Sequence, residues 1–280
     1  MTALSAILSA WLAEGRPAVL VTVAEARGST PREAGAAMLV SRDAAAGTVG
    51  GGRLELEAIG AARALLDRGG PAAALDLPLG PAIGQCCGGH VVLRLALADG
   101  DTVNALAAAE RAAAASFPAV LLFGAGHVGR ALARALAPLP LRLAWIDGRA
   151  HEFPAALPDG VERVVTDSPL DRLAGAPAGA GCLILTHSHQ LDFELAEAAL
   201  RRGDLSYAGL IGSATKRARF ERWYRARGGD PARLAFLACP IGAGIGATTA
   251  DKRPEVIAAL AAAELMVALT RRRAAGDGPP

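Results

Sequence analysis

The chain has 280 residues, of which 52% are hydrophobic and 20% charged, and its formal net charge is +2. That length buries a substantial core and suits two domains, and the composition is globular rather than disordered. The small net charge argues against an obligate nucleic-acid binder, no apolar run reaches the length of a membrane span, and four cysteines make no disulfide scaffold.

The opening stretch Met1-Thr-Ala-Leu-Ser5 has no basic region, so no secretory leader is expected and the cytoplasm is the expected compartment. Residues 2–14 predict an amphipathic helix with Leu4, Ile7, Leu8, Trp11 and Leu12 on one face, ended by Pro17. Residues 18–24 and 36–41 predict short strands on either side of a Gly28-Ser-Thr-Pro31 turn. Gly47-Thr-Val-Gly-Gly-Gly52 then leads into a helix over 53–68, and residues 91–98 predict a strand that closes the first unit. Residues 102–115 are Ala-rich and predicted helical, stopping at Phe117-Pro118.

Beyond that point the pattern changes. Strands are predicted at 119–123, 141–146, 161–165, 182–186 and 206–211, and helices at 127–137, 193–201, up to about 227, and 254–272. Such alternation is the signature of a parallel sheet with helices on both faces. The expected fold class is therefore α/β: an N-terminal α/β domain over 1–100, a helical linker over 101–117, and a Rossmann-like C-terminal domain over 118–280.

The chemistry is concentrated in glycine-rich words. Gly124-Ala-Gly-His-Val-Gly129 follows a predicted strand and opens a helix, with Asp147 about twenty residues on. In a dinucleotide fingerprint Gly124 makes the tight turn, Gly126 lets backbone approach a pyrophosphate, Gly129 packs helix on strand, and Asp147 accepts from ribose hydroxyls. Gly84-Gln85-Cys86-Cys87-Gly88-Gly89 is the rarest word. Glycine adds no packing, so the adjacent thiols read as reactive or metal-ligating thiolates at an exposed turn, with Gly88 and Gly89 N–H groups as an anion nest. Two buried thiols, or a vicinal disulfide, remain the alternative. Cys182 and Cys239 read as structural.

Gly50, Gly51 and Gly52 ahead of a helix make an anion cradle, and Arg32 and Arg53 are candidate bidentate phosphate contacts. Thr186-His187-Ser188-His189-Gln190-Leu191-Asp192 falls at the carboxyl edge of the predicted sheet. His187, His189 and Asp192 read either as hydrogen-bonding and proton-handling groups of a cleft or as a capping cluster with Asp192 as the N-cap. Of 29 Lys and Arg residues only Lys216 and Lys252 are lysine, leaving 27 arginines. A surviving lysine marks a place where a compact ammonium matters, and Lys216 follows Gly212-Ser-Ala-Thr at a predicted helix start.

Taken in order, Gly28-Ser-Thr-Pro31, Gly50-Gly-Gly52, Gln85-Cys-Cys-Gly-Gly89, Gly124-Ala-Gly-His127, Thr186-His-Ser-His189 and Gly209-Leu-Ile-Gly-Ser213 resemble the XdhC/CoxI family of bacterial accessory proteins for molybdenum hydroxylases, most of all its xanthine dehydrogenase accessory members. The resemblance runs from Arg27 to Glu255. It implies a non-enzymatic maturation factor that binds the molybdenum cofactor (molybdopterin with its molybdenum), protects it, supports its sulfuration and delivers it to apo-xanthine dehydrogenase. The implied partners are the molybdenum subunit of that enzyme, a cysteine desulfurase and a second copy of the chain, with no nucleic acid and no membrane. It assigns Gln85, Cys86, Cys87, Gly88, Gly89 and the other glycine words to the cofactor, with Arg32, Arg53 and Lys216 toward its phosphate and pterin, and Cys86 or Cys87 toward molybdenum. A nucleotide at the Rossmann site is a further expectation. The competing readings are an NAD-dependent oxidoreductase and a thiol-based metal or redox sensor.

Overall fold

The computed structural model describes residues 3–79, 88–243 and 251–274, and the chain divides into two compact units, residues 1–115 and 116–280. Gln85, Cys86 and Cys87 lie outside the described residues.

The first unit is built on alternation. Strand β1 (Ala18–Arg27) sends Val19, Val21 and Val23 to one face of its sheet and Ala18 and Leu20 to the other. It pairs antiparallel with β2 (Ala37–Val40) and β5 (Gly89–Ala98). With β3 (Ala45–Gly47) and β4 (Ala73–Leu79) the sheet runs β3-β2-β1-β5-β4. Helix α2 (Gly52–Arg68) presents Leu54, Ala58, Ala62 and Leu65 at helical spacing and buries them against the valine face. Helix α1 (Leu4–Ala13) covers the opposite face through Leu8 on Ala18 and Leu39. Helix α3 (Gly100–Ala115), expected as a linker, instead packs Val103 and Leu106 into this same cluster and belongs to the first unit. It does so because those two side chains fall three apart on one helix face.

The second unit is doubly wound. Its six parallel strands are β6 (Ala119–Phe123), β7 (Arg142–Asp147), β8 (Val161–Val165), β9 (Gly181–Ile184), β10 (Tyr207–Leu210) and β11 (Leu237–Ala238). Their order is β11-β10-β9-β6-β7-β8. Numbered within the unit this is 3-2-1-4-5-6, the order of dinucleotide-binding folds, with the switch point between β6 and β9. Helices α4 (His127–Leu136) and α8 (Pro254–Ala274) enclose Val120, Leu122, Trp145 and Leu183 on one face. Helices α5 (Pro169–Ala174), α6 (His189–Arg202) and α7 (Ala214–Ala226) enclose Leu121, Phe123, Cys182 and Ile184 on the other. Near-continuous apolar strands are what two covered faces demand. Among the described residues no helix is long and apolar enough to cross a membrane.

Candidate functional site

In the first unit three glycine words meet at one end of the sheet. β1 ends at Arg27, which pairs with His90 of β5, so the turn beginning at Gly28 lies over Gly88 and Gly89. A Cβ on Gly89 would fall 2.2 Å from Ser29 O, and a Cβ on Gly50 would fall 2.5 Å from Pro31 Cγ. Backbone leaves no room for a Cβ at Gly89, and the Pro31 ring leaves none at Gly50. The Gly28 turn and Gly88–Gly89, sixty residues apart in sequence, are therefore one constellation. Arg32 is exposed there and makes no ion pair among the described residues, whereas Arg53 is tied to Glu57 at 3.3 Å.

The cradle ahead of α2 is not empty of anion. Glu55 reaches back from the first turn, and its Oε1 accepts from Gly51 N–H at 3.0 Å, from Val49 N–H at 3.2 Å and from the Thr48 hydroxyl. Burial pushes this carboxyl up, but those donors more than offset it and hold it below its ordinary value. The N–H groups of Gly52 and Arg53 find no acceptor among the described residues. The expectation of an open cradle over Gly50–Gly52 is thus corrected to one half filled by the chain's own carboxylate.

In the second unit, Gly124 and Gly129 are required by packing. A Cβ on Gly124 would meet Leu185 O at 2.2 Å, and one on Gly129 would meet Gly124 O at 2.0 Å. Gly126 faces open space, which leaves room for a ligand's close approach. Asp147 is placed differently from its expected role. It is 7% exposed, and its Oδ1 accepts from Arg149 N–H at 2.9 Å and Arg149 Nε at 3.0 Å. Its Oδ2 accepts from Arg149 Nη2 at 2.9 Å and Ala125 N–H at 2.7 Å. Four donors saturate the carboxylate, so it braces the glycine loop instead of offering itself to ribose. Burial pushes its carboxyl up, and the bonds from Arg149 and Ala125 outweigh that and hold it below the usual carboxylate range. Arg149, which the sequence reading missed, also reaches Glu152 at 3.1 Å. The Asp-Gly-Arg spacing was its only signal.

A cleft of about 150 Å³ opens at the carboxyl edge, lined by Gly124, Asp147, Thr166, Asp167, Thr186 and His187 among others. His187 and His189 are both exposed, and only His187 lines the cleft. Helix α6 is capped by Ser188, whose hydroxyl accepts from Leu191 N–H at 3.3 Å, not by Asp192. Asp192 is 1% exposed and holds Thr186 through both its N–H and its hydroxyl, each at 2.8 Å. Its other oxygen takes Lys216 Nζ at 2.5 Å. Lys216 is therefore spent inside the protein and is not available to a phosphate. Its stem lies against Gly212, where a Cβ would fall 2.6 Å from Lys216 Cδ, so the compact ammonium expected at this position fits a tight niche. Cys182 and Cys239 are buried, and burial pushes their thiols up to about 12 and about 11, which leaves them inert.

A glycine turn opening a helix at the switch point of such a sheet defines the second unit as a Rossmann domain. The chain belongs to the XdhC/CoxI family: residues 11–77 match the XdhC and CoxI family model and residues 120–265 match the XdhC Rossmann domain. The uncharacterized protein YqeB of Escherichia coli (strain K12) is 28% identical over 255 residues, which cover 89% of this chain. The chain spans only 43% of YqeB's length. A crystal structure of a xanthine dehydrogenase from Bacillus halodurans matches with a TM-score of 0.74 at 19% identity, covering 98% of each chain, a likeness of fold.

Proposed function

We propose that this chain is a maturation factor that binds the molybdenum cofactor, protects it, supports its sulfuration and passes it to the molybdenum subunit of apo-xanthine dehydrogenase. It acts with a cysteine desulfurase, as a homodimer in the cytoplasm, and turns over no substrate of its own. Family membership supports this reading, and one observation carries it: Gly88 and Gly89, which follow the two cysteines, meet the Gly28 turn, and Pro31 of that turn meets Gly50 ahead of α2.

The donor set fits the cofactor. Gly52 and Arg53 N–H groups with Arg32, which has no ion pair among the described residues, suit a phosphate, and thiolates at Cys86 and Cys87 would suit a soft metal. When bound, the cofactor supplies the molybdenum centre that the client enzyme needs. The chain's own work is to hold the phosphate and to shield the group from water. The oxidoreductase reading draws on the strand order of the second unit. The saturated Asp147 removes the ribose acceptor on which that reading depended.

The test is anaerobic incubation with molybdenum cofactor, then gel filtration with molybdenum and pterin analysis of the protein peak. Near-stoichiometric co-elution is expected, and a Cys86→Ala/Cys87→Ala variant should lose it. Full retention by that variant would refute the thiolate assignment, and retention of NAD with no pterin would refute the carrier.

A further inference from the structure

Strand β8 is the outermost strand on one side of the second sheet, and it offers five residues where β11, on the other side, offers two. Its pairing with β7 decides which of its backbone groups are used. Val165 is registered with Asp147, and Asp147 O accepts from Thr166 N–H at 3.4 Å. Backbone groups turn to alternate sides along a strand, so those of Glu162, Val164 and Thr166 face β7. The N–H and C=O groups of Arg163 and Val165 therefore face away from it, and among the described residues they have no backbone partner. The Val161 N–H is already spent on Pro158 O at 3.2 Å. Apolar side chains stand exposed on both faces beside this open row. Val165, 46% exposed, shares the face of Val161, and Leu170 of α5, 37% exposed, lies toward the opposite one. Arg172 ties α5 alongside, its Nη2 standing 3.4 Å from Glu162 Oε1.

Unused donors and acceptors in a row invite another strand, and the charges on β8 say which. A twofold axis lays β8 antiparallel on its own copy, and only residues whose groups face outward can then exchange bonds. Arg163 opposite Arg163 would stack like charges, which destabilises a ladder. Val161 opposite Arg163 would set Glu162 on Glu162 and call on the Val161 N–H that Pro158 already holds. Arg163 opposite Val165 escapes both faults. Val164 then meets Val164 on the axis, Glu162 faces Thr166, and every charge on the strand has an uncharged neighbour across from it. The strand is thus complementary to itself in a single register, which no foreign segment is required to supply. We propose that β8 joins two copies of this chain edge to edge, uniting their six-stranded sheets into one, with Arg163 of each copy opposite Val165 of the other.

This inference rests on the homodimer of the proposed function and on none of its cofactor chemistry. Sedimentation equilibrium of the full chain from about 0.1 to 100 μM reads the dimer directly. Val165→Pro removes an outward N–H and leaves the bonds to β7 whole, so it should raise the dissociation constant about tenfold or more while Tm stays near that of wild type. Val165→Lys sets an ammonium opposite the second copy's Arg163 in both pairs and should weaken the dimer about fivefold. Val165→Glu sets a carboxylate there and should tighten it by about as much. Opposite responses to opposite charges at one position are the signature of this register. A dimer indifferent to all three substitutions, or weakened alike by Lys and Glu, would overturn the β8 pairing and leave the homodimer standing. A chain that stays monomeric throughout would refute both and leave the margin to a strand of another protein.

Discussion

The two glycine loops that open α2 and α4 look alike in sequence and are held by opposite means. Ahead of α2, Gly51 serves the backbone, at φ +78° with open space where a Cβ would point, beside a Gly50 crowded by Pro31. Ahead of α4 the glycines serve packing: Gly129 is pressed on Gly124 O. Each loop also captures a carboxylate. In the first it comes from within the same helix, Glu55, and in the second from the next strand, Asp147. A glycine pattern thus marks where backbone is crowded or turned, and only the partners decide how much of it remains for a ligand.

That contrast can be broken in steps. Gly129→Ala should be the most damaging change, at about 4 kcal/mol or more, because the new Cβ meets backbone that has nowhere to go. Chemical denaturation would register it as a shifted midpoint. Asp147→Asn comes next, at about 2 kcal/mol, since it uncharges the buried member of a pair whose arginine is part solvated and keeps Glu152. Its folded pKa is depressed, so its stabilisation is full above the ordinary value of 3.8 and vanishes as pH falls through the folded value. The gap between wild type and variant should therefore narrow only once pH falls below 3.8, and close as it passes beneath the folded value, in pH-dependent melting. Glu55→Gln should cost about 1 kcal/mol, less because that carboxylate stays partly solvated. Its pH dependence has the same sign, closing as pH falls below the ordinary 4.5. Gly126→Ala should sit within about 0.5 kcal/mol of wild type, since its Cβ enters open space at an ordinary φ of −69°. A large Tm loss in Gly126→Ala would mean that packing governs the whole loop.

The β6–α4–β7 unit was legible because apolar strands, the glycine turn and the helix stripe all point to one answer. Strands β3 and β4 were not. β4 is Ala-rich and contains Pro78, which argues against a strand unless it lies at a sheet edge, as it does. Helix α5, of six residues, is too short to show a period. At the site, positions were easier to read than partners. The scarcity of lysine drew attention to Lys216, yet nothing in the sequence showed that Asp192 takes its charge. The occupation of Asp147 was half hidden: Arg149 stands two residues on, but Ala125 is brought to it from the end of the neighbouring strand only by folding.

The first sheet ends in β3, three residues long, and in β4, where Pro78 has no N–H to offer. Neither margin makes a good template for another chain's backbone. The first sheet is thereby guarded at both margins against growth by strand addition.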